Sequence, residues 1–115
     1  MPNFLALYMG SEEANARAAA GPPTPEQMTE GMAAWTKWMA DHAAVIVDHG
    51  GPLGKTKKAS KAGLGEARNF IAGYVIVSAD SHDEAVKLFE GHPHFSIFPG
   101  DSVEVMTVLP VPGAA

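Results

Sequence analysis

The sequence predicts an α+β fold: an antiparallel four-stranded sheet with two helices packed on it. Three observations carry that reading. Two segments, Asn3 to Met9 and Arg68 to Ala79, alternate as strands and are apolar on both faces. A long stretch beginning at Thr24 carries apolar residues at helical spacing behind a capping signal. The elements then fall in the order β-α-β-β-α-β, the ferredoxin-like split βαβ arrangement.

The first strand is NFLALYM. Phe4, Ala6 and Tyr8 point one way, and Leu5, Leu7 and Met9 the other. Gly10 to Pro23 favours helix by composition but lacks an apolar stripe. The expectation for 10–23 is a mobile loop with one or two helical turns. Thr24-Pro25-Glu26-Gln27 is a helix start: Thr24 can cap, Pro25 fits the first turn and Gln27 takes the capping-box position. The helix is expected to run to about Asp48. Met28, Met32, Trp35, Met39, His42, Ile46 and His49 lie on one stripe, ended by Gly50-Gly51-Pro52.

Leu53 to Lys61 is polar and basic. Residues 55–68 carry +4, against −4 for 1–54 and −5 for 69–115. An edge strand or extended loop is expected, since lysines blunt sheet edges. Ala62 to Ala67 reads as a glycine-bearing turn. In Arg68 to Ala79, Phe70, Ala72, Tyr74 and Ile76 share one face, and Ile71, Gly73, Val75 and Val77 the other. Ser81-His82-Asp83-Glu84 is a capping box before a short helix. His92-Pro93-His94-Phe95 and Pro99-Gly100 form a loop, Ser102 to Leu109 is the last strand, and 110–115 is a tail.

The 115 residues suit one domain spanning 1–115. Folding would leave roughly 6,000 Å² of roughly 17,000 Å² exposed, enough burial for one core. Cysteine is absent, which removes disulfides, thiolate metal sites and thiol nucleophiles. A net charge of −5 argues against a nucleic-acid binder. The N-terminal apolar run is too short to span a membrane and lacks a basic start, so a cytoplasmic protein is expected. Two helices cover one sheet face only, yet two strands are apolar on both. A second copy is the simplest cover, giving a homodimer with a barrel-like core; the competing cover is the 10–23 loop.

Candidate chemistry sits at helix ends and loops. His42 lies on the apolar stripe and can serve as acid or base, or be a satisfied core histidine. Asp48 and His49 are read at the end of the long helix, where a carboxylate is electrostatically misplaced. Lys55 and its neighbours suit an anionic group, though lysine runs usually form a solvated face. His92 and His94 have His-x-His spacing, but no companion motif supports a metal, and no cofactor is expected. Trp38, three residues after Trp35, can face the core or a cleft. The Gly54-Lys55-Thr56 triplet looks like a P-loop ending, but His49 stands where the first glycine is needed.

Taken together, these residues resemble the YCII-related domain family over nearly the whole chain. The carriers are Ala34-Trp35 with Trp38, the Val47 to Gly54 segment VDHGGPLG, Gly73-Tyr74-Val75-Ile76, Ser81 to Ala85, His92-Pro93-His94 and Val103-Glu104-Val105. The resemblance implies a dimeric α+β barrel and a cleft between sheet and loops. Some relatives pair a helix histidine with a loop aspartate, a dyad suited to lyase or isomerase chemistry. Here those positions hold Met39 and His92 or Pro93, and the Asp-Gly-Pro-Phe motif of another branch is missing. Two readings follow. One is a metal-independent acid–base lyase or isomerase using Asp48, His92 and His94. Trp38, His42, His49, Lys55 and Tyr74 would then contact the ligand. The other is a non-catalytic ligand-binding or accessory protein.

Overall fold

The computed structural model describes residues 1–113; Ala114 and Ala115, the end of the expected tail, lie outside the described residues. Ten elements follow one another: β1 Asn3–Met9, α1 Glu12–Ala20, α2 Pro25–Asp41, β2 Ile46–Pro52, β3 Thr56–Ser60, β4 Gly63–Ala67, β5 Ile71–Ser78, α3 His82–Lys87, α4 Pro93–Ser96 and β6 Ser102–Thr107. Four strands form an antiparallel sheet in the order β2-β5-β1-β6, the ferredoxin-like order, with helices on one face. The α+β class and the antiparallel sheet are those the pattern predicts.

The pleat sorts the sheet into two faces. On the helix side, Phe4, Ala6 and Tyr8 of β1 and Val75 and Val77 of β5 are buried with Trp38, Ala79, Ala85 and Phe89. On the other side, Leu5 pairs with Ile76 and Met106, and Leu7 with Tyr74 and Glu104. The side chains of this second face are half-buried or exposed. The molecule exposes 7850 Å², against roughly 6,000 Å² for a compact chain of this mass. Its radius of gyration is 16.0 Å, against about 13 Å for a compact domain of this length.

Four local expectations are corrected. The 10–23 segment holds a real helix, α1. Ser11 Oγ accepts from Ala14 N at 2.9 Å, and Glu13 pairs with Arg17 at 3.3 Å. One fully buried alanine, Ala14, anchors it, so no wide apolar stripe is needed. The long helix keeps its capping box at Thr24 and Gln27 but stops at Asp41, with His42 as its cap. The β-branched run Val45-Ile46-Val47 prefers a strand, and Ser78 N donates to Val45 O at 2.8 Å to seat it beside β5. Asp48 and His49 therefore stand on strand β2, not on a helix end. The basic segment is not an edge of the main sheet. It is β3 of a separate hairpin, and the expected 62–67 turn supplies its partner β4. The edge beside β5 belongs to β2, which is irregular at Val47 and between Asp48 and Gly51, and β6 forms the other edge. Gly50 takes φ +62° there, and a Cβ would strike the carbonyl of Tyr74, so only glycine fits.

Candidate functional site

A cleft of about 530 Å³ opens on the helix side of the sheet. That is a size suited to a small organic molecule. One wall is the α2 stripe Met28, Met32, Trp35 and Met39; the other is His49 to Pro52 of β2 with Ala72 to Tyr74 of β5. Tyr8 of β1, His94 and Phe98 complete it. The α2 wall follows from i, i+4 spacing, which stacks these side chains along one face. Gly31 on α2 leaves room for the Phe98 ring, which a Cβ would overlap.

Behind the cleft lies a cluster of aromatic rings. Tyr8 is 4.8 Å from Trp35, 5.1 Å from His92 and 5.4 Å from His94 between ring centroids. His92 meets Trp35 edge-on at 4.7 Å and Trp38 at 4.8 Å. The His-Pro-His segment is a capping device. His92 precedes α4, Pro93 takes its first turn, and the His92 Nδ1 accepts from the His94 backbone N at 3.0 Å. That bond fixes the tautomer, with the proton on Nε2. This Nε2 is buried and has no partner among the described residues. Burial first, then the charges of His94 and His42, pulls His92 down to about 4. His92 is therefore neutral at pH 7. His94 lines the cleft, and its Nε2 lies 2.8 Å from the Met9 carbonyl. A carbonyl only accepts, so Nε2 holds the proton and Nδ1 carries the lone pair.

The remaining predicted site residues separate. Trp38 is core: its Nε1 donates to Leu88 O at 2.9 Å and its ring stacks on Phe89 at 5.1 Å. His42 is half-buried, with Nδ1 2.8 Å from Trp38 O and its ring 4.5 Å from that of Trp38. Neither borders the cleft. His49 and Tyr74 do border it, His49 from the exposed edge strand. Lys55 is exposed in the connector after β2 and does not line it. Asp48 pairs with Ile76 and so shares the open face, where its Oδ1 accepts from Gly50 N at 2.8 Å. The structure thus gathers His92 and His94 around Tyr8 and Trp35, and sets Asp48 on the other side of the sheet.

Sequence reasoning passed over Tyr8, Met28, Met32 and Phe98 as site residues. Their spacing announces a buried face, and a buried face and a cleft wall share one pattern. Tyr8 is 4% exposed, and its hydroxyl has no hydrogen-bond partner among the described residues. Burial raises its pKa well above the ordinary tyrosine value.

No family model and no curated protein matches the chain. A solved structure does: 5-chloro-2-hydroxyhydroquinone dehydrochlorinase (TftG) from Burkholderia phenoliruptrix AC1100, in complex with 2,5-dihydroxybenzoquinone. The likeness covers 90% of this chain and 90% of that one, with a TM-score of 0.53 and 18% identity. At this identity it shows the fold alone: a ferredoxin-like α+β unit with an antiparallel sheet. Among the described residues no helix is long and apolar enough to cross a membrane.

Proposed function

We propose that the chain is a homodimeric YCII-like protein whose helix-side cleft binds a small ring-sized molecule and converts it by acid–base chemistry of the lyase or isomerase type. The observation that carries this is the cleft with His94 in its wall. Pinning of Nε2 by the Met9 carbonyl holds the ring in one tautomer, with Nδ1 as the proton acceptor. A proton taken there could be returned to another atom of the ligand, or its removal could expel a leaving group. The similar solved structure is a dehydrochlorinase with a dihydroxybenzoquinone bound, which supports a ring-sized ligand and elimination chemistry.

The open face supports the homodimer reading. The surface in excess of a compact chain, shared between the open face and the separate β3–β4 hairpin, is on the order of 1,900 Å². A stable interface needs about 800 Å² from each partner. Leu5, Leu7, Ile76 and Met106 offer an apolar centre for it.

One observation favours the second reading, binding without conversion. No carboxylate borders the cleft among the described residues, so the only histidine–carboxylate pairing expected from the sequence is split by the sheet. Incubation with a cell metabolite extract, followed by mass spectrometry, separates the two. A compound consumed by the wild type but not by His94→Gln supports catalysis. A compound retained unchanged supports binding alone. If no compound is consumed or retained, the small-molecule reading falls.

A further inference from the structure

Tyr8 presents a problem that the cleft can solve. A buried hydroxyl without a hydrogen bond costs stability, and native structures seldom leave one so. Its neighbours offer no relief: Trp35, Phe89 and His94 lie around the ring without a hydrogen bond to the hydroxyl, and the nearby His92 Nε2 is itself unpartnered, so these two do not satisfy each other. Yet Tyr8 also lines the cleft. The chemistry of the remaining wall is equally selective. Among the described residues, no Lys, Arg, Asp or Glu borders it; the titratable residues along it are Tyr8, His49, His94 and Tyr74, and Tyr74 turns its side chain to the Leu7 face of the sheet. A formal charge drawn in between Met28, Met32, Met39 and Phe98 would lose its water and find no fixed counter-ion.

We infer that the cleft selects an uncharged, ring-sized compound bearing an acceptor oxygen, and that the Tyr8 hydroxyl is the donor that reads this oxygen. This rests on the cleft being a small-molecule site, and it goes against the anionic ligand that the lysine segment suggested. Burial keeps Tyr8 protonated at neutral pH, so the hydroxyl stays a donor. The methionine wall adapts to ring substituents, because its thioether chains are flexible and polarisable.

Three probes of similar size test it: acetophenone, with a ring and a carbonyl; ethylbenzene, with the ring alone; and benzoate, with a charge. Binding is followed by the methionine methyl resonances in NMR titrations. Acetophenone should bind about tenfold tighter than either of the others. Tyr8→Phe should erase its advantage over ethylbenzene and should melt no lower than the wild type, since it removes an unsatisfied group. If acetophenone and ethylbenzene bind alike, a buried water satisfies Tyr8 and the inference fails. It also fails if benzoate matches acetophenone, or if Tyr8→Phe keeps the preference. If none of the three binds, the small-molecule reading itself fails.

Discussion

The two faces of the sheet have nearly the same apolar sequence and opposite fates. Phe4, Ala6, Val75 and Val77 are at most 1% exposed beneath the helices. Leu5, Leu7 and Ile76, their immediate neighbours on the same strands, stay half-buried, and Met106 is 39% exposed. The difference is in the cover. The short α3 and the α2 helix cover one face, and among the described residues the side chains of the other stay half-buried or exposed. Apolarity along a strand therefore reports what must be covered, and says nothing about whether the cover is intramolecular.

The largest effect should come from the covered face. Phe4→Ala empties a closed core position and should cost about 4 kcal/mol in urea unfolding. Ile76→Lys, on the open face, should behave differently: circular dichroism and the unfolding cooperativity of the monomer stay, while the proposed dimer dissociates. We expect its dissociation constant in sedimentation to rise at least a hundredfold, about 3 kcal/mol. A chain that is monomeric before substitution would refute the second-copy cover.

His92 sharpens the comparison through pH. Its value lies near 6.5 unfolded and about 4 folded. Between those values the unfolded state binds a proton that the native state refuses. Its contribution is full above about pH 6.5, drains away as the pH falls toward 4 and is constant below. The span is on the order of 3 kcal/mol. His92→Gln should remove this component, so the gap in urea midpoint between wild type and variant should shift against the wild type from pH 7 to pH 4.5. A gap that does not move with pH would place the ring in water. The smallest effect concerns the Trp38 indole. Trp38→Phe loses the bond to the Leu88 carbonyl and should cost about 1 kcal/mol, with the dimer unchanged.

The capping signals were legible because they are local. Thr24 and Ser81 both cap a helix, each accepting from a backbone N–H three residues on. The end of the long helix is ambiguous in the sequence, because Ile46 and His49 continue its 3.6 period while Val45-Ile46-Val47 argues for a strand. The vacancy beside β5 on the sheet decided between them. Helix α1 leaves little trace in the periodicity, because a single alanine, Ala14, and not a stripe ties it down.

For the site, the sequence by itself marked His92-Pro93-His94 as a compact pair and the Val47 to Gly54 segment as special, since both are short patterns with unusual residues. It also determined the fold class and the doubly apolar strands, which follow from periodicity along the chain. The face that Asp48 occupies is another matter. It depends on the irregular step at Val47 and on pairing with Ile76, 28 positions away. The isolation of the Tyr8 hydroxyl depends on Trp35, Phe89 and His92 arriving from three other segments. Hydrogen-bond satisfaction and desolvation belong to the assembled environment, so only the tertiary structure could separate a core tyrosine from the polar point of a cleft.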